Sequence, residues 1–368
     1  MNTATAPILI DAHEDLAWNI LTFGRDYTLP ASETRKIEAG TLPPQVNGDT
    51  LLGWPDYQRG KVAIIFSTLF AAPVSDQLGD WDQQCYATPE EANLLYNRQL
   101  DAYDRLVDLH PAMFCKIERR SDLRSVIEHW QRGDTQEHPV GLVILMEGAE
   151  GVREPSELEQ WYQRGVRIIG PAWSGTRFCG GSGNPGPLTK EGYALLEGMA
   201  EYHFTLDLSH MDEKAVLQAL DTYPGPIIAS HANALALLKG STSNRHLTDR
   251  VILGLLERDG IIGVVPFNNF LKPGWKEMGG RETVTLDQFV AQIDYICQMA
   301  GNASHVGIGT DFDGGMGVQS VPAELDTIAD LRKIIPILSQ KGYTEADISA
   351  ILGGNWLDHL QNTLPEGI

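Results

Sequence analysis

The chain has 368 residues, 42% hydrophobic and 21% charged, an ordinary globular composition with enough length for a large core. Its net charge of −21, from 49 acidic against 28 basic residues, repels polyphosphate and anionic lipid, which argues against nucleic-acid and membrane-surface partners. The four cysteines (Cys85, Cys115, Cys179 and Cys297) form no CxxC pair, MNTATAPILIDAHE lacks the features of a signal or transit peptide, and no apolar run reaches spanning length, so the expected location is cytoplasmic.

Short apolar runs alternate with amphipathic segments along the whole chain. The first, PILID (7–11), runs into Asp11, His13, Glu14 and Asp15. A polar, turn-rich insertion from Gly24 to Gly60 follows, where a small hairpin or a lid is expected. After VAIIFSTLF (62–70), Thr88-Pro89-Glu90-Glu91 supplies an N-cap, Pro at N1 and Glu at N3 for a helix toward His110. Next come VGLVILME (140–147), VRIIGPAW (166–173), FTLDLS (204–209) and PIIAS (226–230). Thr248 caps DRVILGLLERDG, IIGVVPF (261–267) follows, and a helix runs from a Thr285 cap to Gly301. HVGIGTD (305–311) is the eighth run, and two helices near 325–340 and 344–360 close the chain.

Near-continuous apolar runs suit a parallel sheet covered on both faces. Eight such strands, each followed by a helix, predict a (β/α)8 TIM barrel forming a single domain over 1–368, with a small insertion between strands 1 and 2. A doubly wound sheet is the rival, but its Gly-rich first turn is missing from IDAHEDL.

Functional side chains of such a barrel sit at the C-terminal strand ends. There the sequence places His13 and Asp15 (strand 1), Glu147 (strand 3), His210 (strand 5), His231 (strand 6) and Asp311 (strand 8). Alternate residues of an extended chain face the same side, so His13 and Asp15 can reach one ion while Glu14 points away. Taken singly, each piece more often has a bland reading: HxD and DFDG as turns, the histidines as hydrogen-bonded structural residues. Five strand ends on one rim together point to a two-metal site, with imidazole and carboxylate donors suiting Zn2+. Glu147, with two oxygens, is the natural bridge.

In order, the stretches IDAHEDL, VILMEGAEG, GVRIIGP, LDLSH, IIASHANA, NRHLTDRVI and VGIGTDFDG resemble the membrane (renal) dipeptidase family of zinc peptidases, within the metal-dependent amidohydrolase barrels. The likeness runs from residue 8 to about 315. It implies two Zn2+ per subunit, one on His13 and Asp15, the other on His210 and His231, with Glu147 shared. It further implies that Asp311 handles the proton of the attacking water and that Arg245 pairs with a substrate carboxylate, a role that suits a planar guanidinium fork. Homodimers are common in that family, so a dimer is an expectation here.

One position departs from the family pattern. Trp173 stands where the dipeptidases carry a histidine thought to contact the substrate, and an indole offers one N–H donor, no charge and a larger apolar body. Losing a preorganised donor of that kind costs about 100- to 1000-fold in rate. Trp173 is placed among the substrate-binding residues, with two readings open: a residue that reshapes the pocket for a different scissile group, or one that packs at the barrel rim. Either weakens the dipeptide as the expected substrate. The Gly-rich loop 174–187 lacks P-loop spacing and is expected to line or cover the site, and Cys179 within it is not read as a nucleophile. Asp207 is read as a strand residue, with support of a ligand as the alternative.

The expected function is a binuclear zinc hydrolase that cleaves dipeptides or related small N-acyl amino acids through a metal-activated hydroxide. Its partner is a small-molecule substrate. Two alternatives remain open: hydrolysis of another amide, ester or lactone, and a catalytically silent metal-binding homologue. The presence of Asp311 weighs against the silent form.

Overall fold

The computed structural model describes residues 7–132 and 137–366; residues 1–6, part of the stretch read for targeting signals, lie outside it. All eight expected runs contribute strands: β1 (Leu9–Glu14), β2 (Val62–Phe70), β3 (Val140–Glu147), β4 (Val166–Gly170), β5 (Thr205–Asp207), β6 (Ile227–Ile228), β7 (Ile262–Val264) and β8 (Val306–Ile308). Every neighbouring pair is parallel, in the order β6-β5-β4-β3-β2-β1-β8-β7. The ends meet through an Ala229–Ile262 bridge, with Ala229 N–H donating to Ile261 O at 2.9 Å and Gly263 N–H to Ala229 O at 2.8 Å. This is the (β/α)8 barrel that the alternation implied.

Closure depends on two glycines. A Cβ on Gly263 or Gly309 would lie 1.8 or 1.9 Å from the Ser230 carbonyl oxygen, so only glycine lets the β6 end pack inside the ring. A ninth strand, Phe114–Lys116, pairs with the outer part of β3; at three residues it carries no periodic signal.

The helix starts follow their caps. Thr88 Oγ1 accepts from Glu91 N while Glu91 Oε2 accepts from Thr88 N, opening the helix Pro89–Leu109. Thr248 caps Asp249–Glu257, and Gly301, at φ 71°, ends Leu286–Ala300. The two closing helices are more broken than expected. A 3-10 segment, Ile328–Lys333, precedes Ile334–Gln340, and one π-turn, Ala350–Gly354, interrupts the last helix before Asn355–Thr363. Trp356 then lies against Gly307 of β8 and donates to Ile308 O at 3.0 Å.

The insertion after β1 corrects the hairpin expectation. Its described residues form helices Ala31–Glu38, Pro43–Val46 and Trp54–Gly60, with prolines in the first turn of the last two, where a missing N–H costs nothing. A buried polar clamp fastens it to the loop after β8. Asp313 accepts from Arg25 Nη1 at 3.0 Å, Tyr27 Oη at 2.8 Å, Thr50 Oγ1 at 2.5 Å and Leu51 N at 3.2 Å. Among the described residues, no helix is long and apolar enough to cross a membrane.

Arg25 stays paired with Glu38 (2.9 and 3.1 Å) when Asp313 is removed, but the Tyr27 hydroxyl, Thr50 hydroxyl and Leu51 N–H lose their buried acceptor. Asp313→Ala is therefore expected to lower unfolding free energy by about 1–3 kcal/mol in urea denaturation, the cost of leaving buried donors unpaired; no measurable loss would contradict the clamp.

Candidate metal centre

The rim residues converge. β1 ends with His13 turned inward and Glu14 turned out to the Tyr57 hydroxyl, as the period of two requires. His13 Nε2 lies 3.6 Å from Glu147 Oε2, 3.7 Å from Asp15 Oδ2 and 3.9 Å from Asp311 Oδ1. On the other side of the same carboxylate, Glu147 Oε1 is 3.1 Å from His210 Nε2 and 3.3 Å from His231 Nε2. Glu147 thus divides its oxygens between two sets of donors. The structure brings together all five expected ligands, and Asp311 with them.

The donor set fits a cation. Both ring nitrogens of His13 are buried without a hydrogen-bond partner among the described residues. Its Nε2 faces three carboxylates at separations longer than hydrogen bonds but suited to ligands arranged around an ion. Two triads, His13–Glu147–His231 and His13–Asp15–Asp311, each present one ligand atom per residue within 4.8 Å of the others.

The electrostatics point the same way. Burial alone would push His13 down, yet Glu147, Asp15 and Asp311 lift it to about 10. Glu147 is pushed up by burial, but His13 and His210 outweigh that and hold it well below the usual carboxylate range. Asp311 is raised well above that range, by burial and by the negative charge of Asp15 and Glu147. Burial holds His210 down to about 4, with the Arg245 charge adding to it, and keeps His231 low as well. The crowded carboxyl groups therefore favour positive charge among them, on the His13 imidazole or on a cation.

The backbone around these groups is constrained. His210 (φ 67°), Asp311 (φ 60°) and Asp313 (φ 62°) hold left-handed conformations, a cost of order 1–3 kcal/mol each that clusters at functional sites. A Cβ on Gly314 would fall 2.1 Å from Asp311 Oδ1 and 2.7 Å from Asp15 Oδ2, which explains the glycine closing DFDG.

Two serines stand behind the ligands. Ser230 Oγ is 2.8 Å from His231 Nδ1 and donates to Asp207, whose Oδ1 also accepts from Ser230 N (2.8 Å) and Ser209 N (3.0 Å). Asp207 is thus more than the strand residue it was read as: it fixes the support of His231. Ser182, on the hairpin made by Cys179–Gly181 and Asn184–Leu188, lies 3.0 Å from His210 Nδ1. Neither serine is marked by spacing; only the fold places a hairpin over β5. Both contacts leave the Nε2 atoms facing Glu147.

Arg245 is buried, with Nη2 donating to the His231 carbonyl at 2.6 Å and its guanidinium over the Phe270 ring at 5.3 Å. Its Nε and Nη1 have no partner among the described residues, so two donor groups stay available. Trp173 stands at the edge of the cluster, its ring 6.2 Å from that of His210 and 5.1 Å from that of Phe70. Cys179 is buried, and burial pushes its thiol up to about 12, far from a nucleophilic thiolate.

Comparison with known proteins sets this geometry in context. Residues 3–363 match the model of the family described as membrane dipeptidase (Peptidase family M19). An uncharacterized protein in the pqqA 5′ region of Klebsiella pneumoniae is 35% identical over 61% of this chain and 82% of its own length. An uncharacterized dipeptidase of Schizosaccharomyces pombe is 28% identical over 58% of this chain, which spans only 52% of that relative. Among solved structures, a metallopeptidase from Rhodobacter sphaeroides, liganded with a phosphinate mimic of L-Ala-D-Ala, superimposes with TM-score 0.76 at 23% identity, over 98% of this chain and all of that one. The probable dipeptidase PvdM of Pseudomonas aeruginosa gives 0.75 at 20% identity, over 97% and 95%. At these identities the structural likeness establishes the fold.

Metal ligation needs a neutral imidazole, whereas the surrounding carboxylates favour the protonated form of His13, so a cation must displace a proton there. Affinity should rise with pH across the neutral range. Calorimetric Zn2+ titrations in buffers of different ionisation enthalpy should show net proton release; pH-independent binding without proton release would contradict this charge balance.

Proposed function

The chain belongs to the membrane dipeptidase family, and from that membership we propose that it is a binuclear zinc hydrolase cleaving dipeptides or related small N-acyl amino acids. The observation that carries this reading is Glu147, whose two oxygens face His13 on one side and the His210–His231 pair on the other. His13 and Asp15 would hold one ion and His210 and His231 the second, with Glu147 common to both. Their imidazole and carboxylate donors suit Zn2+. When bound, such a pair supplies Lewis acidity and a water acidified to near neutrality.

The chain's own groups account for the remaining steps. Arg245, with two unpartnered donor groups in a buried setting, is suited to a substrate carboxylate and would anchor the C-terminal half. Asp311, a raised carboxyl beside Asp15 and Glu147, would accept the proton of the attacking water and return it to the leaving amine. Its left-handed backbone, hydrogen-bonded to the His13 carbonyl at 3.1 Å, holds that carboxyl at the cluster. Ser230 and Ser182 orient two of the histidines, and Trp173 closes one side of the site against water.

Trp173 favours a second reading, in which the reshaped pocket takes another amide, an ester or a lactone. A panel of L-Xaa-L-Xaa and L-Xaa-D-Xaa dipeptides, N-acyl amino acids and lactones, offered to zinc-loaded protein, separates the two. Turnover of the first two classes is the expected result, and turnover of lactones alone would overturn it. Asp311→Asn should lower kcat by about 100- to 10,000-fold, the usual contribution of a positioned proton-transfer group, in protein whose metal content is measured alongside and saturated with added Zn2+. A variant with parent activity would remove Asp311 from the chemistry.

A further inference from the structure

Beside the ligand cluster lies a pocket of about 190 Å³, floored by Asp15, Glu147, His210 and Asp311. Its walls are aromatic and aliphatic: Trp173 and Phe70 on one flank, Trp18, Trp81 and Leu78 on the other. The flanks are braced from behind. Trp173 and Phe70 pack at 5.1 Å between ring centroids, Trp18 meets Trp81 edge-on at 6.2 Å, and Phe23 stacks on Trp81 at 5.6 Å. Trp18 is 8% exposed, and its indole N–H has no partner among the described residues.

Size and charge narrow the occupant. A dry cavity of about 150 Å³ lined by apolar side chains accepts one benzene ring. At about 190 Å³ this pocket has room for one ring and little more. Beyond the floor, its charged lining consists of Asp76, Asp82 and Asp313, and no Lys or Arg lines it among the described residues. At the wall, away from the floor where the cations would sit, an acidic side chain would meet Asp76 and Asp82 and no Lys or Arg among the described residues, Asp313 being paired with Arg25. Neither Arg245 nor His231 lines the pocket, so the half of the substrate anchored at Arg245 lies elsewhere.

We propose that this pocket selects the side chain on the acyl half of the substrate, taking a single aromatic ring or an apolar group of that size and rejecting acidic side chains. This assignment rests on the hydrolase reading above and deepens it: Trp173 becomes one wall of a ring-sized slot. The substrate class is then a dipeptide or N-acyl amino acid whose N-terminal side is aromatic or bulky and apolar.

The test compares kcat/KM for Phe-Ala, Ala-Ala and Glu-Ala, each with L- and D-alanine at the second position, on zinc-loaded protein. Phe-Ala should exceed the other two by at least about tenfold, since a single methylene in an apolar pocket is worth about 10- to 200-fold. Trp81→Ala should shrink that ratio to about threefold or less. Should that variant fail to fold, Leu78→Ala, at a side chain 73% exposed, makes the same comparison on a tolerant position. Equal or better turnover of Ala-Ala overturns the pocket assignment and leaves the hydrolase reading standing. Silence on every dipeptide and on the matching N-acetyl-alanine and N-acetyl-phenylalanine overturns the hydrolase reading instead. A tryptophan-fluorescence titration with L-phenylalaninamide against L-alaninamide then decides the pocket alone: selective, saturable quenching upholds the ring site, and equal responses overturn it.

Discussion

Three carboxylates crowded around one buried imidazole set the terms for the rest of this molecule. Asp15, Glu147 and Asp311 all lie within 4 Å of His13 Nε2, the first two buried and the Asp311 side chain 17% exposed. Such an arrangement is costly unless positive charge enters it. A barrel can bear that cost because the three carboxylates come from three different strand ends, β1, β3 and β8, held by a parallel ladder. The lifted His13 and the depressed Glu147 are two sides of one attraction: the carboxylates favour charge on the His13 imidazole, and His13 and His210 favour the ionised form of Glu147.

The surroundings serve that centre. The Asp313 clamp binds the helical insertion to the loop carrying Asp311, so the catalytic candidate and the outer wall of the site move as one piece. Asp207 and Ser230 anchor His231 from within the barrel, and Ser182 reaches His210 from the hairpin above it. His231 is thus supported from the barrel core and His210 from a hairpin over the strand ends. Trp173 occupies a position where an imidazole would add a donor and instead offers an apolar face. The candidate ligands Asp15, Glu147 and His210 thus form the floor of the pocket together with Asp311, and aromatic side chains form its wall.

Much of this was legible from residue order. The eight apolar runs are long or β-branched enough to mark their strands, and the capping boxes at Thr88 and Thr285 place their helices to within a residue. His13-x-Asp15 declared its geometry through the period of two, and Glu147, His210, His231 and Asp311 through their positions after strands. Other features stayed hidden for physical reasons. Prolines and polar residues in the insertion signal turns and suggest a small hairpin or a lid; the hairpin is absent because those prolines open short helices. Arg25 and Asp313 are 288 positions apart, and Ser182 reaches His210 only once a hairpin folds over the strand ends. The role of Asp207 needed Ser230 beside it, a contact across two strands that no local pattern encodes.

The central claim is that one carboxylate, Glu147, joins two metal sites. The most direct measurement is anomalous diffraction at the zinc edge from crystals grown with Zn2+. Two peaks about 3.5–4 Å apart, one on each side of Glu147, are the predicted result. A single peak, or none at this carboxylate, would contradict it.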